Sequence, residues 1–183
     1  MKILSEELIL TTAERLIEQH GMENVTLSSV AAELGMTHAA LYKYYKNKND
    51  LWGALSIKWL DNVLVETFAF DGSKYTDKKV LLHDWLWTFV NAKRGSYQQD
   101  AKMFALYTAY VDGDPALLDR HLNALATKLT ALMGWDQEAS QNIILAFTWF
   151  AAPAFAPAWL RVDFAARFES LWTFTVNGID VNK

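Results

Sequence analysis

Apolar positions along the chain recur at helical spacing. Leu8, Ile9, Ala13, Leu16 and Ile17 fall on one helix face, and Gly21 closes that stretch as a C′ residue. Thr26 is placed to cap a short second helix over 27–34, followed by Gly35. Thr37 opens a third helix over 38–45. Asn47 or Asn49 caps a fourth, whose apolar stripe holds Trp52, Leu55, Trp59 and Val63. Asp71-Gly72 marks a loop. Thr76 then caps a long helix through Val90, which Gly95-Ser96 interrupts, and a further helix runs from Tyr97 to Val111. Asp112-Gly113-Asp114-Pro115 is the strongest turn signal, with Asp114 able to cap and Pro115 suited to the first helical position. The next helix ends near Gly134. Asp136 caps another, which meets Pro153 and Pro157, and Asp163 starts a last helix ending near Gly178.

Turn-bounded runs of alternating β-branched residues do not occur. The pattern therefore predicts an all-α, nine-helix chain. Residues 1–48 form a three-helix unit, and residues 49–183 form a longer-helix unit rich in aromatic side chains.

Composition narrows the class. Apolar residues make up 52% of 183, and Gly and Pro number only 8 and 3, which excludes a disordered or collagen-like chain. Cysteine is absent, so disulfides, thiolate metal sites and cysteine nucleophiles are excluded together. Glu6, Glu7, Glu14 and Arg15 break the first apolar stretch, so no signal-peptide core is expected, and the cytoplasm is the expected compartment. The longest apolar run, Ile143 to Leu160, contains Thr148, Pro153 and Pro157. It falls short of the roughly 20 apolar residues of a membrane span. It reads as a buried helix suited to a subunit interface.

The formal charge is −4, which argues against indiscriminate binding to nucleic acid. Its distribution changes the picture. Residues 36–48 hold His38, Lys43, Lys46 and Lys48 and no acid, a local basic patch in an acidic chain. The same stretch lies in a helix-turn-helix pattern. Ala31 is small where two helices must approach, and Gly35 can take the positive φ of the tight turn. Val30, Leu34 and Leu41 supply the apolar contacts, leaving His38, Tyr42, Lys43 and Tyr44 to face outward. Such a helix can present its side chains to base edges in a major groove.

The string TLSSVAAELGMTHAALYKYYKNKNDL, Thr26 to Leu51, resembles the N-terminal domain of TetR-family transcriptional repressors. The resemblance is carried by Val30-Ala31, Leu34-Gly35, Leu41-Tyr42, Tyr45 where the family usually has Phe, Lys48 and Leu51. It is specific over residues 5–60 and only architectural beyond. Asn49 replaces a usual acid and Met36 a usual Val, and neither change removes a contact group. The absence of a basic N-terminal arm argues against minor-groove reading.

Chemistry and the matching positions imply roles. Thr26 and Thr37, at helix N-termini, suit phosphate, as do Tyr42 and Lys48. Tyr44 meets phosphate or a base edge. His38, Ala39 and Lys43 are the candidates for base readout, because lysine donates to guanine O6/N7 and an alanine methyl meets the thymine methyl. Leu41 and Tyr45 pack inward. The expected DNA partner is a double-stranded operator.

The resemblance further implies a cavity for a small-molecule effector among the later helices. His83, Trp85, Tyr107, Tyr110 and Trp149 combine aromatic bulk with polar atoms and are the candidate effector contacts. Plain core is the competing reading for any one of them. The resemblance also implies a homodimer, with Phe147, Phe150, Phe155, Trp159, Phe168, Leu171 and Trp172 at the interface. Two-fold symmetry would set the recognition helices about 34 Å apart, one DNA turn. The fourth helix, shared between the units, would carry effector-driven movement to the DNA-binding one. The implied function is a repressor released from its operator by a small hydrophobic or aromatic effector.

Two other readings compete. A helical small-molecule carrier explains the aromatic unit but leaves the lysine-rich third helix without a role. An enzyme lacks support: His20, His38, His83 and His121 have no i, i+4 partner, and HExxH, GxSxG and Gly-rich phosphate loops are missing. No catalytic residue, metal, cofactor or membrane partner is expected.

Overall fold

The computed structural model describes residues 5–178; residues 1–4, part of the stretch read for a signal core, lie outside them. The described residues form helices and connecting turns with no strand. The chain divides into two compact units, residues 1–59 and 60–183.

The first unit begins with α1, Glu6–His20, whose N-terminus is capped by Ser5 Oγ accepting from the Leu8 N–H at 3.2 Å. Ile9, Ala13, Leu16 and Ile17 are buried, the face expected from their spacing. After a 3-10 turn at Met22–Asn24 comes α2, Leu27–Glu33. Thr26 caps α2 through a reciprocal box with Ser29, which satisfies two free backbone donors at once. Gly35 turns the chain at φ +66°, and Thr37 caps α3, His38–Leu41. The third helix is shorter than expected. Beyond Leu41 the backbone tightens: Lys43 and Tyr44 donate to the carbonyls of Ala40 and Leu41, three residues back.

Helix α4, Lys48–Val63, runs through the division between the units. Asn47, not Asn49, serves its first turn, accepting from the Asp50 N–H at 2.9 Å. Leu51, Trp52 and Leu55 are fully buried. The division thus falls inside α4 instead of at its start.

In the second unit, Leu64 breaks the helix before α5, Val65–Ala69. Helix α6, Lys78–Gln99, is capped by Asp77 accepting from the Lys79 N–H at 2.7 Å, a role expected of Thr76. Gly95 and Ser96 do not interrupt it. The break comes at Asp100, which caps α7, Ala101–Asp112. A lone glycine costs a helix only about 1 kcal/mol, too little to end one held by a buried stripe. Helix α8 spans Pro115–Met133, with Asp114 capping and Gly134 at φ 77° ending it. Asp136 caps α9, Gln137–Ala146.

The run from Ile143 to Leu160 is not one helix. After α9 it folds into 3-10 segments at Thr148–Phe150 and Pro153–Leu160. Proline lacks the N–H that an α-helical ladder requires and its ring clashes with the preceding turn, so Pro153 and Pro157 forbid a straight continuation. Helix α10, Phe164–Val176, follows. Asp163 precedes it but does not cap it, because its carboxylate is engaged by Arg161 at 2.9 Å and Arg167 at 2.8 Å. Those two guanidiniums hold Asp163 down to about 2.

The aromatic residues form the core of this unit, which corrects the expected interface. Phe147, Phe150, Trp159 and Phe168 are at most 2% exposed within a single chain. Phe168 meets the rings of Trp87, Phe147, Phe150 and His83 at 4.8–5.7 Å. These four side chains are therefore core, with no surface to offer a second subunit. Phe155 is 41% exposed, and Leu171 and Trp172 are partly so.

Candidate nucleic-acid interface and interior cavity

The face of the first unit is set by what lies beneath it. Val30, Ala31 and Leu41 are at most 2% exposed and fix α2 against α3. Gly35 makes the turn between them possible, since its positive φ is a conformation that side-chain-bearing residues rarely adopt. With the apolar residues committed inward, Thr26, Thr37, His38, Ala39, Tyr42, Lys43 and Tyr44 are all exposed. The expected site residues on α3 and the turn after it thus share one outward-facing segment.

Their local contacts refine the roles. The Thr26 and Thr37 oxygens accept from the Ser29 and Ala40 N–H groups at 3.1 and 3.2 Å, so both hydroxyls are first of all caps. His38 Nε2 lies 3.1 Å from Ser28 Oγ, tying α3 to α2, and its ring meets Tyr42 edge-on at 4.6 Å. Ser28 is an exposed polar neighbour that sequence reasoning missed. Tyr45 is buried, and its hydroxyl donates to Glu6 at 3.1 Å, joining the segment to α1. Burial, then that carboxylate, raises the phenol above its ordinary range. Lys48 is half-buried, with its ammonium 5.5 Å from the centre of the Trp52 ring.

The second unit carries a pocket, partly open to solvent, of about 280 Å³. Its apolar walls include Leu60, Phe89, Val111, Leu125 and Ile144. Its polar lining comes from Lys93, Thr108, Asp112, His121 and Thr148. Burial lowers Lys93 to about 8, against the opposing pull of Asp112. Burial, helped by the nearby Lys93 charge, lowers His121 to about 3 and keeps it neutral at pH 7.

None of the expected effector contacts lines this cavity. Trp85 is fully buried one layer behind it, donating to the Thr67 carbonyl at 3.2 Å and stacked at 5.9 Å on Phe89, which does line it. Tyr107 is 2% exposed core. Tyr110 is half-buried away from the lining. His83 sits at 25% side-chain exposure between Asp84 and Glu169, at 2.9 and 3.2 Å. Trp149 packs on Phe150, with Arg167 over its ring at 5.7 Å. Aromatic bulk marks core as readily as it marks a pocket wall. The signal that could have found the cavity is Lys93 itself, a charge on the buried stripe Leu82, Leu86, Phe89, Val90 of α6.

Among the described residues no cluster of His, Asp or Glu is arranged for a metal, and no helix is long and apolar enough to cross a membrane.

Fold and exposed face together define a helix-turn-helix domain joined in sequence to a larger helical unit. Residues 9–55 match the family described as bacterial regulatory proteins, tetR family. Over 69 residues the chain is 32% identical to the nucleoid occlusion factor SlmA of Pasteurella multocida, covering 38% of this chain and 33% of that protein. Over 89 residues it is 27% identical to SlmA of Haemophilus influenzae, covering 49% and 40%. The chain thus aligns with only a third to two fifths of these curated relatives. Two solved structures share the fold along nearly the whole chain. The fatty acid degradation regulator FadR from Bacillus halodurans has a TM-score of 0.53 at 17% identity, covering 94% of this chain and 95% of that one. BioQ of Mycobacterium smegmatis has a TM-score of 0.53 at 20% identity, covering 96% and 97%.

Proposed function

We propose that the chain is a DNA-binding transcriptional regulator, acting in the cytoplasm as a repressor released from its operator by a small apolar effector. The observation that carries the reading is the α2–α3 segment, where Leu27, Val30, Ala31 and Leu41 are buried while its polar and basic side stands in solvent. Tyr42, Lys43 and Lys48 serve phosphates and bases, with His38 positioned by Ser28. Thr26 and Thr37 fix the helix starts; the Thr26 hydroxyl also donates to Ser29 Oγ, and Thr37 meets phosphate through its remaining hydroxyl hydrogen. A regulator needs no catalytic group, and the family match supports a non-enzymatic role.

The test is a gel shift of the purified chain on the DNA flanking its own gene. Binding that strengthens at low salt is the expected result, and its absence favours the carrier reading. Lys48→Ala should weaken binding to specific and unrelated DNA alike, lowering the salt slope by roughly 1 per lost phosphate contact. A changed sequence preference would instead assign Lys48 to base readout.

The effector belongs in the partly open, mostly apolar pocket lined by Phe89, Lys93 and His121. A coupling of about 1–3 kcal/mol would weaken DNA binding roughly 5- to 150-fold, and DNA must weaken the effector by the same factor. Ligand affinity that is equal with and without operator would remove the allosteric mechanism.

A homodimer is the proposed assembly. With Phe147, Phe150, Trp159 and Phe168 committed to the core, the side chains left to pair are Phe155, Leu171 and Trp172. Leu160, Val162 and Phe174, exposed by 51%, 106% and 84%, join them as apolar surface that benefits from cover. Light scattering should give twice the chain mass, and Phe174→Asp should shift it toward the monomer; a parent protein that runs as a monomer at micromolar concentration refutes the assembly.

A further inference from the structure

We propose that the cavity of the second unit is built for a small apolar molecule ending in a carboxylate, with the Lys93 ammonium as the group that receives it. This names the chemical class of the effector and rests on the reading that the cavity is the effector site.

The argument starts from a charge in the wrong surroundings. Lys93 is 6% exposed and lines a cavity whose other walls are mostly aliphatic. Its ammonium lies 3.3 Å from His121 Nε2 and 5.6 Å from the centre of the Phe89 ring. Lysine only donates, so Nε2 accepts and the His121 proton sits on Nδ1. That bond uses one of three ammonium donors. A neutral imidazole and a ring face are weak company for a buried cation, which is costly unless paired with an opposite charge.

The nearest carboxylate does not remove the need. Asp112 attracts Lys93 and also lines the cavity, but it is solvent-exposed and can be hydrated where it stands. Lys93 has no such recourse. The same asymmetry selects the ligand's charge: an anion would pair a buried cation, whereas an amine would meet that cation inside the cavity. The Thr108 and Thr148 hydroxyls donate to the carbonyls of Phe104 and Leu145 at 2.8 and 2.5 Å. They therefore offer the cavity oxygen lone pairs and not hydrogens, leaving Lys93 to receive the anion.

Size limits the rest of the molecule. An apolar cavity of roughly 150 Å³ holds benzene. A space of about 280 Å³ suits one ring with a short substituent, or a chain of similar bulk. Val111, Leu122, Leu125 and Ile144 would enclose that body.

The test is calorimetric titration of the full chain, without DNA, using phenylacetate and octanoate, their amides, and phenethylamine. At least one acid should bind about tenfold or more tightly than its amide, with the amine weaker still. Lys93→Met should reduce the acid to the level of its amide while keeping a cooperative thermal transition. A second readout does not depend on that variant. The groups facing Lys93 are His121 from α8 and Asp112 from α7, and His121 stays neutral across the working range. Acid affinity should therefore hold steady between about pH 6 and 8, where the ligand is ionised and Lys93 charged, and fall above that range as the ammonium is lost, while amide affinity should not change. The proposal is overturned if acid and amide bind equally, if the amine binds best, if Lys93→Met leaves the acid unaffected, or if no acid binds up to about 10 mM. If an acid binds through Lys93 yet leaves DNA affinity unchanged, the proposal stands and the effector reading fails.

Discussion

Phe168→Ala should lower the unfolding free energy of the second unit by about 3–5 kcal/mol, the range for removing a buried phenylalanine and leaving a cavity. Phe168 is fully buried, with four aromatic rings within 5.7 Å of its own. Rings in edge-on and tilted contact keep their shapes, so they can close little of the space an alanine would leave. The denaturant midpoint should fall by about 1 M urea or more. The experiment also separates two readings of this residue. A core role moves the unfolding midpoint independently of protein concentration. An interface role would leave each chain folded and move the dimer–monomer balance, which light scattering would detect.

Leu41→Ala should abolish DNA binding although Leu41 touches no DNA. The side chain is fully buried and fixes α3 against α2. Its truncation should cost about 2–5 kcal/mol. Helix α3 has only four helical residues, far below the length at which an isolated helix holds its shape, so its form depends on this packing. Loosening it would scatter His38, Tyr42, Lys43 and Tyr44 together. Gel-shift binding should disappear at protein concentrations where the parent chain is fully bound, with a lowered thermal transition of the first unit. Retained binding with normal sequence preference would mean that α3 is held by something other than Leu41.

The helix-turn-helix unit is legible because its signals are local. Thr26, Gly35 and Thr37 act on their immediate neighbours, and the alternation of buried Val30, Ala31 and Leu41 with exposed polar residues follows helix geometry. The division inside α4 and the early end of α3 were less legible. Both depend on packing and on hydrogen bonds that shift from four to three residues back. The cavity was the least legible. Lys93 and His121 come from α6 and α8, and no spacing along the chain announces that they meet. Of the candidate effector contacts, Trp85 and Tyr107 are core, while His83, Tyr110 and Trp149 are partly exposed away from the pocket. Phe147 and Phe168 show a second limit: an apolar run cannot reveal whether it will be covered by its own chain or by another.

The ammonium of Lys48 above the Trp52 ring has an optical consequence. Trp52 is fully buried, so its indole emits as a chromophore shielded from water, with a cation held 5.5 Å from the ring centre. Light absorption redistributes electron density within an indole, and a fixed charge nearby shifts the energy of that redistribution. If Lys48 reaches for a phosphate, it stretches or leaves the ring, and the indole loses its electrostatic partner. The contribution of Trp52, one of eight tryptophans, to the emission spectrum would thus shift when the chain docks on DNA, without a dye.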